Sequence, residues 1–173
     1  MTVIERWPHP ACLADEALLR QCTISTGRSG GPGGQNRNKV ETLVELTHIP
    51  TGLMAHAGER RSQGENKGVA LRRLRLSLAV LTRTPAPIGE IGSLLWRSRV
   101  RKQRIVCNPE HEDYPSLLAE ALDVIAAGNW DPRRAGLRLA CSASQLVKLA
   151  KDHPPALLMW NKQRQDRAEH GFK

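Results

Sequence analysis

Gly33-Gly34-Gln35 closes the most glycine-dense stretch of the chain and presents an amide side chain directly after two residues that have no side chain. Residues 27–34 read GRSGGPGG, five glycines in eight positions. Ordering such a run costs too much backbone entropy for a helix or strand, so the pattern predicts an exposed loop. A phosphate cradle is the first chemistry to test. The P-loop pattern requires Lys and Ser or Thr directly after the glycines at a helix start, and a dinucleotide fold requires G-x-G-x-x-G between a strand and a helix. Here the glycines lead to Gln35, Asn36, Arg37, Asn38 and Lys39, and the next regular pattern is a strand. Neither cradle fits. Glutamine is no general base near neutral pH and no nucleophile, so what the loop offers is hydrogen bonding from a backbone free to approach something crowded. On composition alone, a plain flexible surface loop is the better account.

The elements around the loop must hold it. LADEALL over 13–19 predicts a short helix, and Cys22 to Thr26 alternates apolar and polar residues as a half-buried strand does. Residues 42–57 predict a β-hairpin with Pro50-Thr51-Gly52 at its turn and His48 as a turn residue. Ser62 and Glu65 fit a capping box, with Ser62 as N-cap and Glu65 reaching back. A helix over about 63–82 follows, its Leu71, Leu74, Leu78 and Leu81 on one buried stripe and Lys67, Arg72, Arg73 and Arg75 facing outward.

Residues 84–92 (TPAPIGEIG) predict a linker that runs into Arg97, Arg99, Arg101, Lys102 and Arg104, five cations without an acid. That basic stretch reads either as a solvated charged element or as a phosphate-contacting arm. From 107 onward the pattern is helical. Pro115 opens one helix that Gly128 closes, Asp131-Pro132 caps a second, Ser142 to Gln145 forms a capping box for a third, and a last helix covers about 155–169. The tight turn at Cys141-Ser142 gives two of these a helix-turn-helix arrangement.

The 173 residues, 40% hydrophobic, suffice for one ordinary domain or a small domain with an appendage. The formal charge is +9, and residues 1–105 carry all of that excess, with 17 Lys/Arg against 8 Asp/Glu; residues 106–173 carry nine of each. A polyanionic partner is expected for the first part, and plain packing or protein contact for the second. The four cysteines form no C-x-x-C pair, no leader opens the chain, and no apolar run could span a bilayer. These features point to a soluble cytoplasmic protein. Cys107 and His111 sit four apart, but no second ligand pair follows, so they read as unrelated residues rather than half a metal site.

Taken in order, Arg28 to Gln35, Asn38-Lys39, His48 to Gly52, Arg61-Ser62-Gln63, Asn66-Lys67 and Ala70-Leu71 resemble the catalytic domain of class I peptide chain release factors, over residues 22–82. The resemblance implies a domain that enters the ribosomal A site. There its Gly-Gly-Gln loop would promote hydrolysis of the peptidyl-tRNA ester in the peptidyl transferase centre. It implies Gly33, Gly34 and Gln35 as the catalytic residues. The Gln35 backbone N–H would act as a donor and its side chain would exclude nucleophiles bulkier than water. Arg28, Lys39, Arg61 and Lys67 would contact ribosomal RNA, with Asn38, Ser62, Gln63 and Asn66 as hydrogen-bonding companions. Ser62 reads equally as a plain N-cap. No cofactor or metal is implied, and the partners are the large-subunit RNA and the P-site peptidyl-tRNA, met by a monomer without a membrane.

About two dozen residues precede the first strand, too few for a domain that reads a stop codon, and Pro32 resembles the codon-independent, ribosome-rescue branch. The expected architecture is α+β. A small mixed sheet packs on one long helix in a catalytic domain over 10–83 with an exposed GGQ loop, followed by a basic linker over 84–106 and a helical module over 107–173. That module is a candidate for a protein partner. Two other readings stand beside the hydrolase: an inactive RNA-binding protein on the same scaffold, and a regulator whose helical module reads DNA, which the module's lack of net charge disfavours.

Overall fold

A computed structural model of the protein describes residues 2–3, 8–28, 41–86 and 92–172. In chain order its strands are β1 (Thr2–Val3), β2 (Cys22–Gly27), β3 (Leu43–His48), β4 (Met54–Ala57), β5 (Thr82–Arg83), β6 (Val100–Arg101) and β7 (Arg104–Ile105). Its α-helices are α1 (Asp15–Leu19), α2 (Gln63–Leu81), α3 (Leu94–Arg99), α4 (Tyr114–Ala127), α5 (Pro132–Arg138), α6 (Ala143–Lys151) and α7 (Pro154–Gln165). The chain forms two compact units, residues 10–78 and residues 1–9 with 79–173. No helix among the described residues is long and apolar enough to cross a membrane.

In the unit of residues 10–78 the strands form one sheet in the order β2-β3-β4. The sheet is antiparallel throughout rather than mixed, because these consecutive strands need only reversing connections. Alternation works as expected in β3, which buries Val44, Leu46 and His48, and in β4, which buries Ala55 and Ala57. β2 departs from it: it is an edge strand, and its Ile24 is 44% exposed among the described residues. Between β3 and β4 the His48 carbonyl accepts from the Thr51 and Gly52 N–H groups, and Gly52 has φ +69°. That left-handed conformation is one a residue with a side chain resists.

α2 begins where the capping box predicts. Ser62 Oγ accepts from the Glu65 N–H at 3.2 Å. Glu65 answers the Ser62 hydroxyl at 2.9 Å, so its carboxylate meets the capping side chain itself. Leu71, Leu74 and Leu78 are buried with Ala70. Leu81 is not, because the chain passes into the other unit after Leu78 and the buried positions there are Ala79 and Val80.

The unit of residues 79–173 is organised on α4, whose residues from Leu117 to Ile125 are all buried, as suits a helix apolar on nearly every side. Three aromatic side chains tie this unit to carbonyls near helix ends. Trp96 Nε1 donates to the Leu139 oxygen at 2.9 Å, Tyr114 OH to Leu149 at 2.6 Å and Trp160 Nε1 to Trp130 at 3.1 Å. Each thus satisfies a carbonyl that has outrun its helix or is about to. Gly128 ends α4 as expected, but the left-handed residues are the next two, Asn129 (φ 59°) and Trp130 (φ 66°).

Residues expected as linker are built into this unit. The Glu120 carboxylate accepts from the N–H and hydroxyl of Ser93, which in turn caps α3 at the Trp96 N–H. β6 and β7 form a hairpin whose two connecting residues, Lys102 and Gln103, both have positive φ, the backbone of a type I′ turn. Gly136 of α5 faces the Cys141 carbonyl of the α5–α6 turn so closely that a Cβ would stand 2.6 Å from that oxygen.

Beneath α4 lies a buried ion pair. Arg83 Nη1 meets Asp123 Oδ1 at 2.9 Å, and the same carboxylate accepts from the N–H and hydroxyl of Thr84. Arg83 also donates to the Ala79 carbonyl. Burial pushes the Asp123 carboxyl up, to about 6, and the facing guanidinium restrains the rise. Removing one partner strands the other charge in the interior, at a cost of about 3–5 kcal/mol. Asp123→Ala is therefore expected to lower stability by that amount and Arg83→Met/Asp123→Leu by clearly less. Urea unfolding followed by tryptophan fluorescence checks this, because Trp96, Trp130 and Trp160 lie in this unit and none of the described residues of the other is a tryptophan.

Candidate functional site

Gly33, Gly34 and Gln35, with Asn38 and Lys39, lie outside the described residues, but both ends of the segment that carries them are in view. β2 and β3 remain paired to their last residues, with Gly27 opposite Leu43, so the segment leaves and re-enters one end of the sheet. At that end Arg28 Nε stands 3.9 Å from Glu41 Oε1, both side chains being more than half exposed.

The first turns of α2 secure the returning leg. Gln63 Nε2 donates to the Glu41 carbonyl. Asn66 is fully buried, and its amide donates to the Thr42 carbonyl at 2.6 Å and the Arg60 carbonyl at 3.0 Å while its oxygen accepts from the Arg60 N–H at 2.9 Å. One side chain therefore joins the strand entry at 42, the loop at 60 and the helix. The amide thus pairs polar backbone groups of three stretches that no strand or helix bond satisfies.

The residues expected to contact RNA divide accordingly. Gln63 and Asn66 spend their amides inside the fold, and Ser62 caps α2. Arg61 is exposed and Lys67 half-buried, and neither makes an ion pair among the described residues. On α2, Arg73 grips Glu59 at 2.7 Å and donates to the His56 carbonyl, and Arg75 does the same with Asp15 at 2.6 Å and the Ala11 carbonyl. These two brace the unit rather than face outward as free charge. Glu59 is held below the usual carboxylate range by the Glu59 and Gly58 N–H groups, with Arg73 adding to the effect.

In the other unit Arg99 pairs with Asp113 at 2.5 Å and meets His111, whereas Arg101, Lys102 and Arg104 are exposed on the hairpin and Arg97 on α3. His111 thus faces an arginine, and no group of metal-binding side chains forms among the described residues.

His48 is more than a turn residue. It is fully buried, with Nδ1 2.7 Å from Thr51 Oγ1 and Nε2 3.1 Å from Gln21 Oε1. Gln21 Oε1 can only accept, so Nε2 carries the proton and Nδ1 accepts from the Thr51 hydroxyl. That neutral tautomer agrees with the lowering of its pKa by burial. Spacing could have exposed one of these roles: Asn66 stands four residues before Ala70 and eight before Leu74, on the buried stripe. Glu41 and Gln21 carried no such signal.

Residues 18–87 match the family described as RF-1 domain. Through them this chain carries an RF-1 domain. Among curated release factors it is 57% identical over 58 residues to Peptide chain release factor PrfB1, chloroplastic, of Arabidopsis thaliana, covering 34% of this chain and 13% of that protein. It is 34% identical over 140 residues to Peptide chain release factor 1 of Chlorobaculum tepidum, covering 71% and 36%. With Peptide chain release factor 1 of Treponema denticola it shares 31% over 137 residues, covering 75% and 38%. The chain thus spans between 13% and 38% of the length of these release factors. The RF-1 match contains every element that holds the Gly-Gly-Gln segment, from β2 to α2.

Two outcomes follow for this release-factor domain. Asn66→Ala removes three hydrogen bonds to part-buried backbone groups at 42 and 60, and is expected to destabilise the unit by roughly 1–3 kcal/mol. Chemical unfolding followed by far-ultraviolet circular dichroism measures it. For His48 burial holds the folded pKa below the unfolded value, so the unfolded chain binds more protons and stability rises with pH. Its contribution is complete above the ordinary histidine pKa of about 6.5 and is lost as pH drops below it. Thermal midpoints from pH 8 to 5 should fall less steeply in His48→Asn than in the parent chain.

Proposed function

We propose that this protein is a codon-independent hydrolase of peptidyl-tRNA that works only inside the ribosomal peptidyl transferase centre and frees stalled ribosomes. The observation that carries this reading is the placement of Gly33-Gly34-Gln35 within the RF-1 match, on a segment held at both ends: by the Gly27–Leu43 register and by Asn66 on Thr42.

In this reading a water attacks the ester carbon, the bond to the tRNA 3′ oxygen breaks, and peptide acid and free tRNA leave. The reaction needs a positioned water and stabilised charge on the tetrahedral intermediate and the departing oxygen. The Gln35 N–H supplies a fixed donor to that charge, its side chain limits what can attack, and Gly33 and Gly34 permit the close backbone approach. The remainder of the active site is RNA and substrate. Arg28, Lys39, Arg61 and Lys67 hold ribosomal phosphates, and Arg101, Lys102 and Arg104 add contacts from the hairpin. Pro32 in the segment supports the rescue branch.

The test is release of labelled peptide from ribosomes stalled with no codon in the A site, and from separated large subunits. Gln35→Pro removes the backbone donor, and losing one such donor costs on the order of 10²–10³ in rate. Gln35→Pro and Gly34→Ala are expected to lower release by about that factor while ribosome binding persists, and Gln35→Ala, which keeps the N–H, to retain release but admit nucleophiles bulkier than water. If the parent chain binds but releases nothing from either substrate, the hydrolase reading fails and the scaffold is a binding protein.

A further inference from the structure

The α5–α6 pair and the basic hairpin, apart in the sequence reading, form one surface. The Ser142 N–H, at the N-cap of α6, donates to the Gln103 carbonyl at the hairpin tip at 3.1 Å. Gln145, in the first turn of α6, accepts from the Ile105 N–H at 3.1 Å instead of completing its capping box. The hairpin is therefore pinned beside the start of α6, and its cations stand next to those of the helix.

The charges there are unmatched. Three clefts flank α6. Arg104 and Lys148 line one of about 620 Å³, Arg133, Lys148 and Lys151 a second of about 520 Å³, and Gln103 and Arg133 a third of about 420 Å³. No Asp or Glu lines any of them. Arg101, Lys102, Arg104, Arg133, Lys148 and Lys151 are all exposed, and none makes an ion pair among the described residues. Four of the unit's carboxylates are engaged elsewhere, Asp113 with Arg99, Glu120 with Ser93, Asp123 with Arg83 and Glu169 with Arg164, and Asp131, beside Arg133, is taken up by capping α5 and pairing with Arg134. Sequence boundaries concealed this. Residues 106–173 are neutral, but 79–173, which fold together, carry 15 Lys/Arg against 10 Asp/Glu.

We propose that the α6 face and the β6–β7 hairpin bind the phosphate backbone of RNA without reading its sequence. A helix-turn-helix that reads DNA sends base-contacting side chains such as Arg, Asn or Gln from the start of its second helix into the major groove. At that place α6 has Ala143 and Ser144, and the Gln145 oxygen is already taken. What the surface offers is cations spread along a helix and a hairpin, suited to phosphates spread along a strand or across a groove. The choice of RNA over DNA rests on the ribosomal reading above; the cationic surface does not.

The experiment titrates the full chain with a fluorescent short RNA duplex between 50 and 200 mM salt, free of ribosomes. The same duplex in DNA and a polyglutamate competitor run in parallel. Arg133→Gln/Lys148→Gln/Lys151→Gln and Arg101→Gln/Lys102→Gln/Arg104→Gln are compared with the parent chain and with Arg61→Gln/Lys67→Gln. Unchanged thermal midpoints verify that these exposed substitutions leave the fold intact.

Each triple variant is expected to bind RNA at least tenfold more weakly. Each should also lower the salt slope by about 2–3, since each phosphate contact contributes about 0.7–0.9. Parent-like affinity and slope in both triple variants would overturn the proposal. Tighter binding of DNA than of RNA would overturn the choice of nucleic acid, and displacement by polyglutamate as readily as by RNA would assign the surface to an acidic protein. Peptide release plays no part in these readouts, so failure of the hydrolase reading and failure of this one show up in different assays.

Discussion

Backbone polar groups that turn away from regular structure but cannot reach water must find a side chain, and this requirement organises both units. Asn66 is the fullest instance, because its amide answers two carbonyls and one N–H drawn from separate stretches of chain. No apolar residue could occupy that position, and neither a pure donor nor a pure acceptor would satisfy it. Trp96, Tyr114, Trp160 and Arg83 do related work in the other unit, each giving a proton to a carbonyl at or near a helix end. Apolar burial supplies most of the driving force for folding, but these bonds decide which ends meet.

The requirement also separates support from contact in the release-factor domain. Polar residues clustered between Arg61 and Lys67 look alike in sequence, yet they face two directions. Gln63 and Asn66 turn inward to the leg at Glu41 and Thr42, leaving Arg61 and Lys67 as the charges available to a partner. The same sorting holds between Arg99, locked to Asp113, and Arg101 and Arg104 two and five residues later.

Much of the fold was legible because local chemistry and tertiary need agreed. Ser62 caps α2, Asp131 caps α5 and Ser142 caps α6 where side-chain oxygens were expected to do so. The alternation of β3 carries through into burial, and the leucine stripe of α2 holds as far as Leu78. Legibility failed where a residue's partner was remote. Nothing near Gln145 announces that its oxygen belongs to Ile105, forty residues earlier, and nothing near Glu120 announces Ser93. The basic stretch therefore looked like a tether, although Trp96 within it is buried. For the candidate site, order and spacing revealed the residues, but only the hydrogen bonds showed which of them hold and which are held.

Gly136 extends this point to geometry. With a single hydrogen where other residues carry a carbon, it allows α5 to approach the Cys141 carbonyl more closely than any substituted residue could. Ser142, the next residue, supplies the N–H on which the hairpin tip rests. The separation between two sets of cations is thus inherited from one missing side chain. Drift at that position would retune the spacing of the charged surface without altering a single charge.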